Sequence, residues 1–265
     1  MIIETLSGRQ LRVVARRGAI ALAGREVRRV MVLWSQTLVP PVITAVLFLA
    51  IFGGALGGRL RQADGVSYLA FILPGLLVMT VAAQSFANAS TSLFQAKSEG
   101  YIEDVLTSPL RHWHVALSYM VGGLLRGWLA AAAVAACALP FTGGLHDGVL
   151  AIVPLVLTGV IFSALGVISG VWAETFDQQA LVANLIIAPL ALIGGVFYSA
   201  ARLGAPWSTL TRLDPIYYLV DATRAGFTGV HEASLVASLL VAAAVAAGAT
   251  AAAVVLLGRG WRLKP

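Results

Sequence analysis

Charge is scarce in this 265-residue chain: Asp, Glu, Lys and Arg make up 11% of it, against 59% hydrophobic residues. Mean hydropathy is +0.88. Soluble domains carry about 25% charged residues, so a soluble enzyme or a cytosolic binding module is excluded. Cysteine is reduced to Cys137, inside an apolar run, and no internal disulfide can form. Residues 1–18 lack both an apolar core and a small-residue cleavage pattern, so no removable signal peptide is expected. Patterns of the HExxH, Walker A and GxSxG kinds are absent, which leaves no visible machinery for hydrolysis. No internal repeat is visible, and an inverted-repeat transporter gains no support.

What remains is a set of long apolar runs. About 20 such residues cross a bilayer. The runs predict an all-α integral membrane protein forming one transmembrane domain over residues 1–265, with six spans at about 30–54, 68–94, 114–140, 148–173, 180–200 and 233–258. Pro40-Pro41 and Pro189 fall inside spans one and five, and the proline pair predicts a kink. Span six is rich in Ala and Gly, whose natural use is close helix packing.

The polar remainder is patterned. Seven arginines between Arg9 and Arg29, with apolar residues interspersed and Gly18 and Gly24 as interruptions, predict one or two short basic amphipathic helices over 9–29 on a headgroup surface. They read equally as a lever for a partner or as a topology anchor. Residues 202–232 are too charged for a crossing and too apolar for a free loop. A pair of short re-entrant helices fits, with Asp221 and Arg224 able to pair at i, i+3. Gln84, Asn88 and Ser92 recur every four residues in span two and share one face. They could line a substrate path or bond a neighbouring helix. His112 and His114 flank Trp113 as an interfacial anchor rather than a metal pair. Arg126 is counted with the basic residues of the cytoplasmic side, and no ionisable residue is expected mid-span.

Residues 97–111 (KSEGYIEDVLTSPLR) predict a short helix between spans two and three. Ile102, Val105, Leu106 and Leu110 fall on one face, and Glu99, Glu103 and Asp104 lie opposite. Acids lead and Arg111 and His112 close, matching the helix dipole at both ends. Pro109 stops the helix at Ser108. Such an element is either a docking knob for a soluble partner or an ordinary interfacial helix. With six spans both termini share a side, and thirteen of the eighteen Lys and Arg residues would lie there. The positive-inside rule puts that side in the cytoplasm. The basic excess of +6 is thereby read as topology, and no nucleic-acid partner is expected.

The wording of this stretch resembles the signature of type-2 ABC exporter permeases, roughly R-E-G-T-hydrophobic-E-x-L-hydrophobic-x-S-P-hydrophobic. Glu99, Gly100, Glu103, Leu106, Ser108 and Pro109 match, whereas Ser98 stands for a basic residue and Tyr101 for Thr. Leu73-Pro74-Gly75, the run Gly194-Gly195-Val196-Phe197-Tyr198, and Asp214-Pro215 through Tyr217, Asp221, Arg224 and Gly229 also resemble family motifs. Ser is commoner at position 194 and Asn at 214.

The resemblance implies six spans, a cytoplasmic amphipathic helix before the first, a coupling helix at 97–111 and re-entrant helices before the sixth. It implies a homodimer in the bacterial cytoplasmic (inner) membrane, surrounded by membrane lipids. Two ATP-binding-cassette ATPase subunits would be made separately, with ATP and Mg on those subunits and no cofactor on this chain. Glu99, Gly100, Glu103, Asp104, Leu106, Ser108 and Pro109 are the expected ATPase-coupling residues. Gly194, Gly195 and Phe197 are the expected dimer contacts, and Gln84, Asn88 and Ser92 the candidate path. The expected function is export of an amphiphilic or lipid-linked substrate, without a catalytic site or metal on this chain. The alternative is a non-transporting membrane scaffold or channel. A neighbouring reading frame for an ATP-binding cassette would favour the exporter.

Overall fold

The computed structural model describes residues 8–51, 66–142 and 144–260, and every regular element among them is helical. The expected loop at 53–65, with Arg59 and Arg61, lies outside the described residues. The helices are α1 (Gly8–Val32), α2 (Trp34–Leu49), α3 (Tyr68–Ser98), α4 (Ile102–Thr107), α5 (His112–Ala138), α6 (Gly148–Trp172), α7 (Phe176–Val182), α8 (Ala188–Ile193), α9 (Trp207–Leu213), α10 (Pro215–Thr228) and α11 (Leu235–Gly258). Five stretches are long and apolar enough to cross a membrane, and α1–α2 adds a sixth if its bent pair counts as one.

The first crossing departs from expectation. Gly18 and Gly24 do not interrupt α1, which is one helix of 25 residues. The chain bends by 58° between α1 and α2. The bend sits at Leu33 (φ −93°, ψ 29°), and Pro40 and Pro41 lie inside α2. The turn falls where the arginine-rich stretch gives way to apolar sequence, which is where a surface helix must tip to enter lipid. The Thr44 hydroxyl donates to the Pro40 carbonyl at 2.9 Å, a bond within α2 itself.

α3 is the axis of the fold, with α5 and α6 as its principal neighbours. Small residues permit the approach. A Cβ built on Gly166 would stand 2.6 Å from the Phe86 carbonyl, and one on Gly170 2.8 Å from that of Ser90. The side chain of Ser67 caps the start of α3, and Asp147 caps α6 by accepting from Val149 and Leu150 N–H. Span five is α7 and α8 joined by a π-turn at Ala183–Ile187, directly before Pro189. Proline has no N–H to continue the ladder, and the rewound turn absorbs the loss. The helix ends at Ile193, so 194–198 lies beyond it rather than in its last turns. On α11 only Ser238, Ala242, Ala246, Ala253 and Leu257 are buried, so close packing follows one stripe.

The 202–232 segment forms α9 and α10, packed at the end of the bundle remote from α4. Asp221 and Arg224 do not pair. Asp221 accepts from the Glu232 and Ala233 N–H groups. Arg224 donates to the carbonyls of Phe71 and Gly195 and lies 3.9 Å from the Phe71 ring centroid. Asp214 caps α10 through Oδ1, while Oδ2 is buried without a partner. Burial pushes this carboxyl up to about 6 from the ordinary 3.8. The folded chain therefore holds an extra proton between those values, and this group adds stability as pH falls through the window and removes it as pH rises. Asp214→Asn should abolish that component of the pH dependence. Thermal unfolding in detergent between pH 4.5 and 7.5 measures it, and an unchanged profile would refute the assignment.

Candidate functional site

α3 runs on to Ser98, so Glu99 is its C-cap and not the start of the next helix. A carboxylate there opposes the helix dipole, which disfavours it by roughly 0.3–1 kcal/mol. Its position is thus unfavourable for the helix that carries it. Gly100 turns the chain at φ +82°, in the left-handed region, and a Cβ on it would meet nothing within 4 Å. The glycine is required first by the turn itself. α4 follows, with Glu103 and Asp104 in its first turn.

Ile102 is buried, and Tyr101, Val105, Leu106 and Leu110 pack around the same cluster as Leu22, Leu93 and Val115. Glu99, Gly100, Glu103 and Asp104 are exposed. The Ser108 hydroxyl donates to the Val105 carbonyl at 2.5 Å. Ser108 is extended (ψ 157°), in line with the constraint from Pro109. Arg111 and His112 do not close α4: Arg111 is the N-cap of α5 and His112 its first residue. Lys97 donates through Nζ to the Val171 and Ala173 carbonyls at the end of α6. The result is an apolar underside fixed to the bundle beneath a face bearing three carboxylates.

Behind this segment lies a joint that the sequence did not disclose. Glu26 of α1 is buried at 1% exposure. Its carboxylate accepts from Ser92 Oγ at 2.5 Å and from Arg25 Nη2 at 3.0 Å, with Arg29 Nη1 4.0 Å away. Gly122 of α5 makes room, since a Cβ there would stand 2.8 Å from Glu26 Cβ. Arg25 also donates to the Tyr119 hydroxyl at 3.2 Å and stands 4.9 Å from the Tyr101 ring centroid. One arginine thus touches α5 and the α4 segment together. The available signal was modest: Glu26 is the only acid between Glu4 and Asp64.

The Gln84–Asn88–Ser92 face is divided by its neighbours. Ser92 belongs to the Glu26 joint, and Asn88 is buried with Nδ2 unpartnered. Gln84 Oε1 accepts from Arg126 Nε at 3.0 Å. Arg126, counted above with the cytoplasmic side, lies halfway along α5, so an ionisable residue does sit mid-span. Removing it leaves twelve of the thirteen basic residues counted at that end, still against five.

Gly194, Gly195 and Phe197 are engaged within the chain. A Cβ on Gly194 would meet Ile216 at 2.6 Å. The Gly195 carbonyl accepts from Arg224, the Phe197 carbonyl accepts from Tyr68, and the Phe197 ring lies 5.3 Å from Phe48. A Cβ on Gly75 would reach Val196 Cα at 2.8 Å. Three motifs that are far apart in sequence therefore meet at one node. Among the described residues no three His, Cys, Asp or Glu side chains gather to hold a metal.

The profile of the family described as ABC-2 type transporter matches residues 18–228. The inner membrane transport permease YadH of Escherichia coli is 39% identical over 241 residues, covering 90% of this chain and 94% of that protein. Nodulation protein J of Rhizobium leguminosarum bv. trifolii is 25% identical over 205 residues, covering 74% and 78%. Nodulation protein J of Neorhizobium galegae is 22% identical over 208 residues, covering 76% and 79%. The profile reaches from within α1 to the end of α10, including the acidic α4 face and the motif node. The chain belongs to the ABC-2 type transporter family and is a multi-pass transmembrane permease of the inner membrane.

Proposed function

We propose that this permease exports an amphiphilic or lipid-linked substrate from the cytoplasm or inner leaflet, powered by a separate ATP-binding-cassette subunit docked on the α4 segment. The observation that carries the reading is the geometry of that segment: Ile102 anchors it while Glu99, Glu103 and Asp104 stand exposed. Two permease copies would pair and two ATPase subunits would bind them, with ATP and Mg held on the ATPases. Both termini and the α4 segment would face the cytoplasm. Exposed apolar residues along span five, Leu181 on α7, Leu185 in the π-turn and Leu192 on α8, offer surface to lipid or to the second copy beside Gly194, Gly195 and Phe197.

Each exposed carboxylate would contribute about 0.2–1 kcal/mol against a basic partner. A charge reversal adds repulsion to the lost attraction. Glu103→Lys with Asp104→Lys should therefore cut ATPase co-purification by about tenfold or more, whereas Glu103→Ala costs less. Membrane insertion should persist, because neither side chain is buried. Co-purification and transport of the double variant equal to wild type would reduce the segment to an interfacial helix. Ion currents through the purified chain without ATPase would favour the channel reading.

A further inference from the structure

Arg126 has no role in the joint, the α4 face or the motif node. It sits near the middle of the 27-residue α5, about 21 Å along the helix from its start. An arginine inside a span is costly, and such residues commonly face a partner or mark a substrate pathway. Among the described residues no carboxylate lies within ion-pair distance of it. The charged group that acts on it is Arg29, a second cation. Its side-chain partner is the neutral amide of Gln84. Glu26, the nearest acid in the joint, is already shared by Arg25, Arg29 and Ser92.

Gln84 also lines a cleft of about 200 Å³ between α2 and α3. The remaining wall is largely apolar, with Pro40, Phe48, Leu76 and Met79 among its residues. Its two hydroxyls, on Thr44 and Thr80, donate to the carbonyls of Pro40 and Leu76 in their own helices. A cation without a carboxylate partner therefore stands behind the polar edge of an apolar cleft, partway along the α5 span. The match is a molecule with an anionic head and an apolar body.

We propose that Arg126 and Gln84 bind the anionic head, a phosphate or carboxylate, of the transported amphiphile, with its apolar portion in the α2–α3 cleft. This rests on the export reading above and narrows its substrate class to acidic amphiphiles. Arg126 supplies the charge. Gln84 fixes the guanidinium through Nε and leaves the remaining N–H groups for the head. Neutral and cationic amphiphiles would leave the arginine unpaired and be disfavoured.

The test uses the purified full chain in neutral detergent without ATPase, so its outcome is independent of partner docking. A short-chain fluorescent phosphatidic acid should bind about tenfold or more tightly than the matching phosphatidylcholine, a ratio that one charge-assisted pair supplies. Arg126→Gln should erase the difference, and Arg126→Lys should retain part of it. Gln84→Ala should weaken binding of the anionic probe more than of the zwitterionic one. Equal affinity for the two probes, or full selectivity in a folded Arg126→Gln, would overturn the proposal. Failure of Arg126→Gln to fold shifts the decision to Arg126→Lys and Gln84→Ala, and unchanged selectivity in both would overturn it. A co-purified phospholipid that the anionic probe cannot displace would mean a structural lipid, and would also overturn it.

Discussion

Gly226→Ala should be strongly destabilising, although it adds one methyl group. Gly226 faces the first turn of α6, and the added Cβ would collide with backbone: Leu150 C at 2.5 Å, Ala151 Cα at 2.6 Å and the Ala151 N–H group. Backbone in a capped helix start has no rotamer by which to yield. The same contact joins loop to helix, because the Gly226 carbonyl accepts from the His146 and Asp147 N–H groups at 3.0 and 2.8 Å. Overpacking commonly costs about 1–3 kcal/mol, and a backbone clash belongs at the top of that range. Gly248→Ala is the control: no atom of another element lies within 4 Å of its added Cβ. It should be neutral or stabilise α11 by up to about 1 kcal/mol. Thermal unfolding and monodisperse yield in detergent measure both. Equal stability of the two variants would show that α10 is not seated on α6 as described.

Glu26→Leu should release α1 from the bundle. The substitution removes the acceptor for Ser92 and the counter-charge for Arg25 and Arg29 in one step. Breaking a buried pair by deleting one partner costs about 3–5 kcal/mol, and the half-exposed arginines bring this case to the lower end. Ser92→Ala should cost less, about 1.5 kcal/mol, because the carboxylate keeps its cations. Hydrogen exchange along α1 distinguishes local release from global unfolding: protection of residues around Leu22 should fall while that of α3 persists. Unaltered protection of α1 in Glu26→Leu would mean that packing at Gly122 and the Ser118–Ala19 bond suffice.

The spans were legible where composition and local caps agree. Span two was expected from Tyr68 and span four from Gly148, and Ser67 and Asp147 cap those helices. Other features depend on partners distant in sequence. The bend at Leu33 involves neither Gly nor Pro, and its only local signal is the change from arginine-rich to apolar sequence. Glu99 looked like the head of α4 because the apolar pattern stops near Phe94, yet α3 continues through Lys97 and Ser98. Gly194 suggested close approach and does permit one, but to Ile216. The acidic face of α4 was readable because it is local. The Glu26 joint was not, since its partners come from α3 and α5.

The separation of those partners has a consequence for biogenesis. Glu26 leaves the ribosome 66 residues before Ser92, and Arg25 leaves 94 residues before Tyr119. While α2 and α3 insert, α1 must wait at the membrane surface with its carboxylate facing water and headgroups. It can dock only after α5 has threaded and placed Gly122 and Tyr119 beside it. A nascent chain stalled before Tyr119 would display an undocked, arginine-rich helix. That exposed helix would give chaperones and membrane proteases a means of distinguishing an unfinished copy from a finished one.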